Sequence, residues 1–294
     1  MRHLAILIVV LLFVGAASAS AAPAPGVAAR ASGVAAPAGV VAPGASGAEA
    51  PLPFVGQRAL YKLTLTLPQS TSVVAGGGRM GFEVLDACEG WAVRQRLEMT
   101  LVSAEGGVTR MISDYATWEA KNGLSFRFHT LDMTNGEVTD RLTGEAHLTR
   151  EGGPGEVVYS EPTHKTVALP AGTLFPMAQT EAIIRAARAG KKFMATPLFD
   201  GTDASGASWS SVAIEGWDSH LPADVESGFP ALAGLPSTRV SVAFFNRKPS
   251  AMLPTFEIGL RYFLNGVADH LVLNFSGFSM QGRMVDLSIL PSHC

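Results

Sequence analysis

The stretch FDGTDASG, residues 199–206, holds the one pair of carboxylates whose setting invites a chemical reading. Asp200 and Asp203 have the oxygen donors a hard cation takes, and two nearby carboxyls can share acid and base roles. The rest of a calcium loop is missing, and so is an aspartic-protease triplet. Aspartate among glycine and serine is first of all a turn former. The interior histidines His129, His147, His164, His220 and His270 fall on separate runs, with no HExxH and no paired metal spacing. There is no GxSxG elbow and no phosphate-binding glycine loop, and AGGG at 75–78 reads as a turn. The sequence therefore predicts no catalytic residue, no metal site and no cofactor, and a protein that is not an enzyme.

Cysteine chemistry is the remaining option, and the chain has just two, Cys88 in DACEGW and Cys294 as its last residue. A thiol oxidoreductase would keep them in a CxxC at a helix start, where one thiol pKa falls. Two cysteines far apart in an oxidising compartment are most simply one structural disulfide. Such a bond would tie the C-terminal strand to the early strands and so close a curled sheet covalently.

The N-terminus supplies that compartment. Residues 1–22 pair Arg2 with an apolar run from Leu4 to Val14 and then small residues, the pattern of a secretory signal. The run is too short to span a bilayer, so no transmembrane segment is expected. Residues 23–50 are almost wholly Ala, Gly, Pro, Ser and Val and read as a disordered linker, leaving 51–294 as a single domain. The net charge is −3, with no basic stripe for nucleic acid and no polybasic run for an anionic membrane.

The elements that must position everything are strands. In YKLTLTL, Tyr61, Leu63, Leu65 and Leu67 share one face; in WAVRQRLEMTL, Val93, Leu97, Met99 and Leu101 do. FEIGLRYFL aligns Phe256, Ile258, Leu260 and Tyr262. KNG, TNGE, EGGPG and LNG punctuate such runs roughly every ten residues, as consecutive antiparallel hairpins require. A dozen or more strands with one apolar face must pair with a second sheet or curl, and a curled, barrel-like sheet is expected. A membrane barrel would end on an aromatic strand residue, whereas this chain ends LPSHC and is interrupted by a helix. That helix is FPMAQTEAIIRAARAGKK: Pro176 starts it, Glu181 and Arg185 pair at i,i+4, Ile183, Ile184 and Ala187 form its apolar side, and Gly190 stops it. A lone amphipathic helix in an all-β chain covers an open side or plugs the interior.

Laid out in order, RALYKLTL, DACEGW, ATWEAKNGLSFRF, LPAGTLFP, LFDG, NGV and the terminal LPSHC resemble the EipB-type family of periplasmic cell-envelope-integrity proteins, across essentially all of 51–294. The resemblance implies a long antiparallel sheet wound into a β-spiral, an incomplete barrel, with Cys88 and Cys294 joined. It implies a role in envelope integrity, alongside a periplasmic tetratricopeptide-repeat partner, and no established catalysis. The family pattern leads one to expect Asp at Glu89 and His at Gln179. The second departure weakens any histidine-based site on the helix.

The expected function is a periplasmic factor that binds a lipid or another hydrophobic envelope component inside the curled sheet, lined by Ile183, Ile184, Phe256, Ile258, Leu260 and Tyr262. The alternative is an interaction scaffold with a packed interior.

Overall fold

The protein is described by a computed structural model, covering residues 50–66, 72–220, 228–245, 253–275 and 277–294. The expected signal peptide, 1–22, and all of the expected linker except Ala50 lie outside the described residues, as does Leu67.

Among the described residues, fourteen strands form one antiparallel sheet. In chain order they are β1 (Gly56–Leu65), β2 (Val73–Asp86), β3 (Gly90–Ser103), β4 (Val108–Ala120), β5 (Ser125–Thr134), β6 (Glu137–Leu148), β7 (Gly155–Glu161) and β8 (Lys165–Leu169); after the helix α1 (Pro176–Arg188) come β9 (Phe193–Leu198), β10 (Ser208–Ile214), β11 (Ser237–Phe245), β12 (Phe256–Phe263), β13 (Ala268–Asn274) and β14 (Ser279–Leu290). The spatial order is β8-β7-β6-β5-β4-β3-β2-β1-β14-β13-β12-β11-β10-β9. Two meanders thus meet at the β1–β14 seam, and the strands on either side of α1 are the two edges.

Two-residue alternation makes the strands, as the sequence suggests. On β3, Val93, Leu97, Met99 and Leu101 are buried, while Arg94 and Arg96 face water. The outer face carries ion pairs, including Arg79 with Glu98 at 2.8 Å and Arg96 with Asp114 at 2.7 Å, as a water-facing surface does. KNG and LNG fall between strands, TNGE turns from the last residue of β5 to the first of β6 through Asn135 and Gly136, and EGGPG leads into β7 at Gly155. Asn135 and Gly136 both adopt positive φ, the conformation a tight two-residue hairpin needs. AGGG is a correction: it lies inside β2, not in a turn. The reason is crowding, since a Cβ on Gly78 would sit 2.1 Å from the carbonyl oxygen of Glu98 on β3.

Cys88 and Cys294 form a disulfide with Cα atoms 5.3 Å apart. Its place corrects the expectation that it closes the curl. The β1–β14 ladder already joins these strands from Gly56↔Leu290 to Leu65↔Met280, and the open edges are β8 and β9. The bond instead fastens the C-terminal tail to the β2–β3 turn, across β1. Asp86 organises this corner: it accepts from the Cys88 N–H at 3.1 Å, from Lys121 Nζ at 2.6 Å and from Ser292 Oγ at 3.2 Å. The Lys121 hydrogen bond, first of several, holds the Asp86 carboxyl below its ordinary range.

The interior differs along the sheet. Under β5–β8, Phe126, Phe128, Tyr159, Phe175 and Phe199 pack as one aromatic cluster, with Phe126 and Phe175 stacked at 5.1 Å. The 199–207 segment enters this lobe. Gly201, at φ +76°, lies so close to Phe128 that a Cβ would fall 2.4 Å from the ring.

Candidate functional site

Between β1–β4, α1 and β11–β13 the sheet encloses a cavity instead of a packed core. It offers about 100 Å³ to the centre of a water molecule, within about 1050 Å³ of atom-free space that includes its mouth. Inward positions of the strands supply most of its wall: Tyr61, Met80, Phe82, Val84, Val93, Val242, Phe244, Ile258, Leu260 and Tyr262.

Pro176, Met177, Gln179, Thr180 and Ile183 of α1 add a helical side to the wall, and Phe54, Val55, Asn265 and Gly266 add loop residues. The sequence opens this helix at Pro176, whose missing N–H is no loss at a first helical position. Phe175, at the N-cap, has no side chain able to satisfy the next N–H groups. Glu119 on β4 does it from across the fold: its Oε2 accepts the Met177 N–H at 2.7 Å and its Oε1 the Ala178 N–H at 2.8 Å. Glu119 is only 2 % exposed. Burial pushes its carboxyl up to about 8, against the pull of those two hydrogen bonds. Further along, Gln179 Nε2 donates to Ser210 Oγ at 2.6 Å, fixing the helix to β10. The family-pattern histidine position is thus a structural amide here.

Other polar groups of the wall are uncharged. Tyr61 donates to the Ala268 carbonyl at 2.6 Å and Tyr115 to that of Asp200 at 2.7 Å, and burial raises both phenols. Gln57 reaches the Gly266 carbonyl with Nε2 at 3.4 Å; among the described residues, neither its buried Oε1 nor the buried Nε2 of Gln95 has a partner. An unpaired buried polar atom costs about 1–3 kcal/mol.

Of the six residues expected to line the interior, Ile183, Ile258, Leu260 and Tyr262 face this cavity. Phe256 shares their face of β12 but sits at the strand's other end, packed on Phe244 and Phe275. Ile184 is fully buried one position round the helix, away from the wall. Asp200 and Asp203 belong to the filled lobe. Asp200 Oδ1 accepts from the Thr202 N–H at 3.1 Å and from the Thr202 hydroxyl, Asp203 Oδ1 accepts from the Ser205 N–H at 2.7 Å, and both are turn formers. Burial raises the Asp200 carboxyl to about 6. Among the described residues, no three His, Cys, Asp or Glu side chains are grouped to hold a metal ion, and no helix is long and apolar enough to cross a membrane.

Glu119, Gln57 and Gln95 escaped the sequence reading, although a signal was there. Each has the parity of an apolar face: Gln95 lies between Val93 and Leu97, Gln57 two before Ala59, and Glu119 two after Thr117.

Comparison with known proteins gives the same architecture. The crystal structure of a beta-barrel-like protein of a domain of unknown function from Brucella abortus superposes with a TM-score of 0.73 at 26% identity, covering 82% of this chain and all of that one. The cell envelope integrity protein EipB of Brucella abortus (strain 2308) is 30% identical over 267 residues, 90% of this chain and 94% of its own length. The EipB-like family profile matches residues 48–291. A match of that extent, from just before β1 to just past β14, makes the chain a member of the EipB-like family.

Proposed function

We propose that this protein is a non-enzymatic periplasmic factor that supports envelope integrity by binding an envelope amphiphile in the cavity between β1–β4, α1 and β11–β13. The relative named for cell envelope integrity supports the role, and the signal-like residues 1–22 support the compartment. The cavity is the observation that supports the ligand reading. Natural cores are packed nearly to crystal density, so a largely apolar void walled by strand residues of both meanders and one helix face supports a use other than stability. The test is native mass spectrometry of protein purified from the periplasm, with solvent extraction. A stoichiometric amphiphile adduct is expected; a clean apo mass together with no saturable uptake of a neutral fluorescent apolar probe would overturn the reading.

A second reading, a scaffold for a periplasmic repeat protein, is favoured by one observation. Phe193 on the edge strand β9 and Trp209 on β10 are 61% and 50% exposed and share the outer face beside the open edge. Strand addition there would pair the edge and cover both rings. Crosslinking from position 193 in cells would capture the partner if this reading holds.

A further inference from the structure

Resting on the reading of the cavity as a ligand site, we propose that its ligand is a single-chain amphiphile with an uncharged hydrogen-bonding head, an amide or a hydroxyl, and that the site discriminates against fatty carboxylates and phosphates.

Among the described residues, the wall contains no lysine, arginine or histidine. The basic residues on the lining strands point away: Lys62, Arg94 and Arg110 are exposed, and the others are engaged elsewhere. Arg58 pairs with Glu83, Arg79 with Glu98, and Arg96 with Asp114, all on the outer face; Arg261, between Leu260 and Tyr262, turns from the cavity to Asp218 at 2.6 Å and Ser237 at 2.8 Å. An anion drawn into this wall would leave water without gaining a counter-ion, a desolvation loss of several kcal/mol. The one ionisable group it would meet besides phenols is the Glu119 carboxyl, of the wrong sign whenever it is charged.

A cationic head fares little better. Both Glu119 oxygens are already occupied by the Met177 and Ala178 N–H groups. Burial, moreover, keeps that carboxyl largely protonated near neutral pH.

What the wall lacks is neutral hydrogen-bond partners. Gln57 Oε1 needs a donor and Gln95 Nε2 needs an acceptor. They stand two strands apart on the same inner face, Gln57 opposite Val84 and Gln95 opposite Phe82. Amides and hydroxyls offer both functions and remain uncharged, so desolvating them costs far less than desolvating an ion. The narrow part, about 100 Å³, is of the order that accepts one benzene-sized group, so it suits the head and first carbons of one chain better than two, the rest of the molecule lying in the roughly 1050 Å³ that opens to the mouth.

The experiment uses the oxidised full-length mature protein loaded with the neutral probe N-phenyl-1-naphthylamine, displaced at near-neutral pH by dodecanamide, dodecan-1-ol, dodecanoate and dodecylammonium, all below their aggregation thresholds. The neutral pair is expected to compete at concentrations about tenfold or more below either ion. Gln95→Leu, which keeps the bulk and removes the donor, is expected to weaken dodecanamide about tenfold. Dodecanoate competing as well as dodecanamide in the wild type would overturn the head-group assignment and leave the ligand site standing. Failure of the probe to bind, or of any competitor to displace it, would overturn the ligand site itself. The wild-type comparison decides the matter even if Gln95→Leu does not fold.

Discussion

The lobe under β5–β8 and the hollow under β1–β4 are made from the same alternating strands, yet one is filled and the other is not. In the filled lobe five aromatic rings pack together with aliphatic side chains such as Leu142, Val157 and Leu169, and the 199–207 segment is pushed among them. In the hollow the inward row includes Gln57, Gln95, Thr117 and Glu119, with only the first turns of α1 facing it. The filled lobe gains stability from packing; the hollow forgoes it and relies on its hydrogen-bond ladders, a tertiary helix cap and a disulfide at its corner. The difference teaches that in one continuous sheet, stability and room for a ligand can be assigned to different stretches of strand.

The largest expected effect tests the hollow's covalent tie. Replacing Cys88 and Cys294 together by serine opens a span of 206 residues, for which chain entropy gives a loss of about 5 kcal/mol at most. Urea denaturation of both forms measures it, and a loss under ~1 kcal/mol would show that the ladders suffice. Next comes a matched pair of truncations. Phe126→Ala, in the filled lobe, should cost about 4 kcal/mol, whereas Phe82→Ala, on a ring that already borders a void, should cost roughly a third of that. Equal losses would mean that the hollow closes over in solution.

Glu119 gives a smaller effect with a definite sign. Its carboxyl rises from an ordinary 4.5 to about 8 on folding, so the folded chain retains a proton that the unfolded chain releases. The stability it contributes is complete below pH 4.5 and falls as pH rises toward about 8. Asp132 and Asp200, raised to about 6, act in the same direction but over a lower window. Between about pH 7 and 8 the wild type should lose about 1 kcal/mol on account of Glu119, and Glu119→Gln should be flatter by that amount. Denaturation midpoints at several pH values would show it. The smallest expected change is Tyr159→Phe, which removes the 2.6 Å bond to the Asp203 carbonyl and should cost about 1 kcal/mol while leaving ligand binding in the hollow as it was.

Much of this was legible because the two-residue period is a local property. The strands, their inner faces, the helix from Pro176 and most hairpin turns follow from residues within reach of one another along the chain. AGGG misled because glycine serves a turn and a close strand approach equally, and only the neighbouring strand reveals which. The hollow was not legible: whether an inward Phe meets another Phe or a void depends on curvature, and curvature is decided by pairings over two hundred residues apart. Glu119 illustrates both sides. Its inward parity could be read from Tyr115 and Thr117, but its partner is a helix end 58 residues further on.

The sheet order also has a kinetic consequence. Every neighbouring pair of strands but one is consecutive in the chain, so nearly all the hairpins can form by short-range closure as the polypeptide emerges. The exception is the central seam, where β1 waits for β14, the last of these fourteen strands in chain order. The two arms can therefore be assembled early while their union is deferred to the twelve residues of β14, and a chain truncated before Ser279 would present β1 as a long unsatisfied edge, open to pairing with another copy.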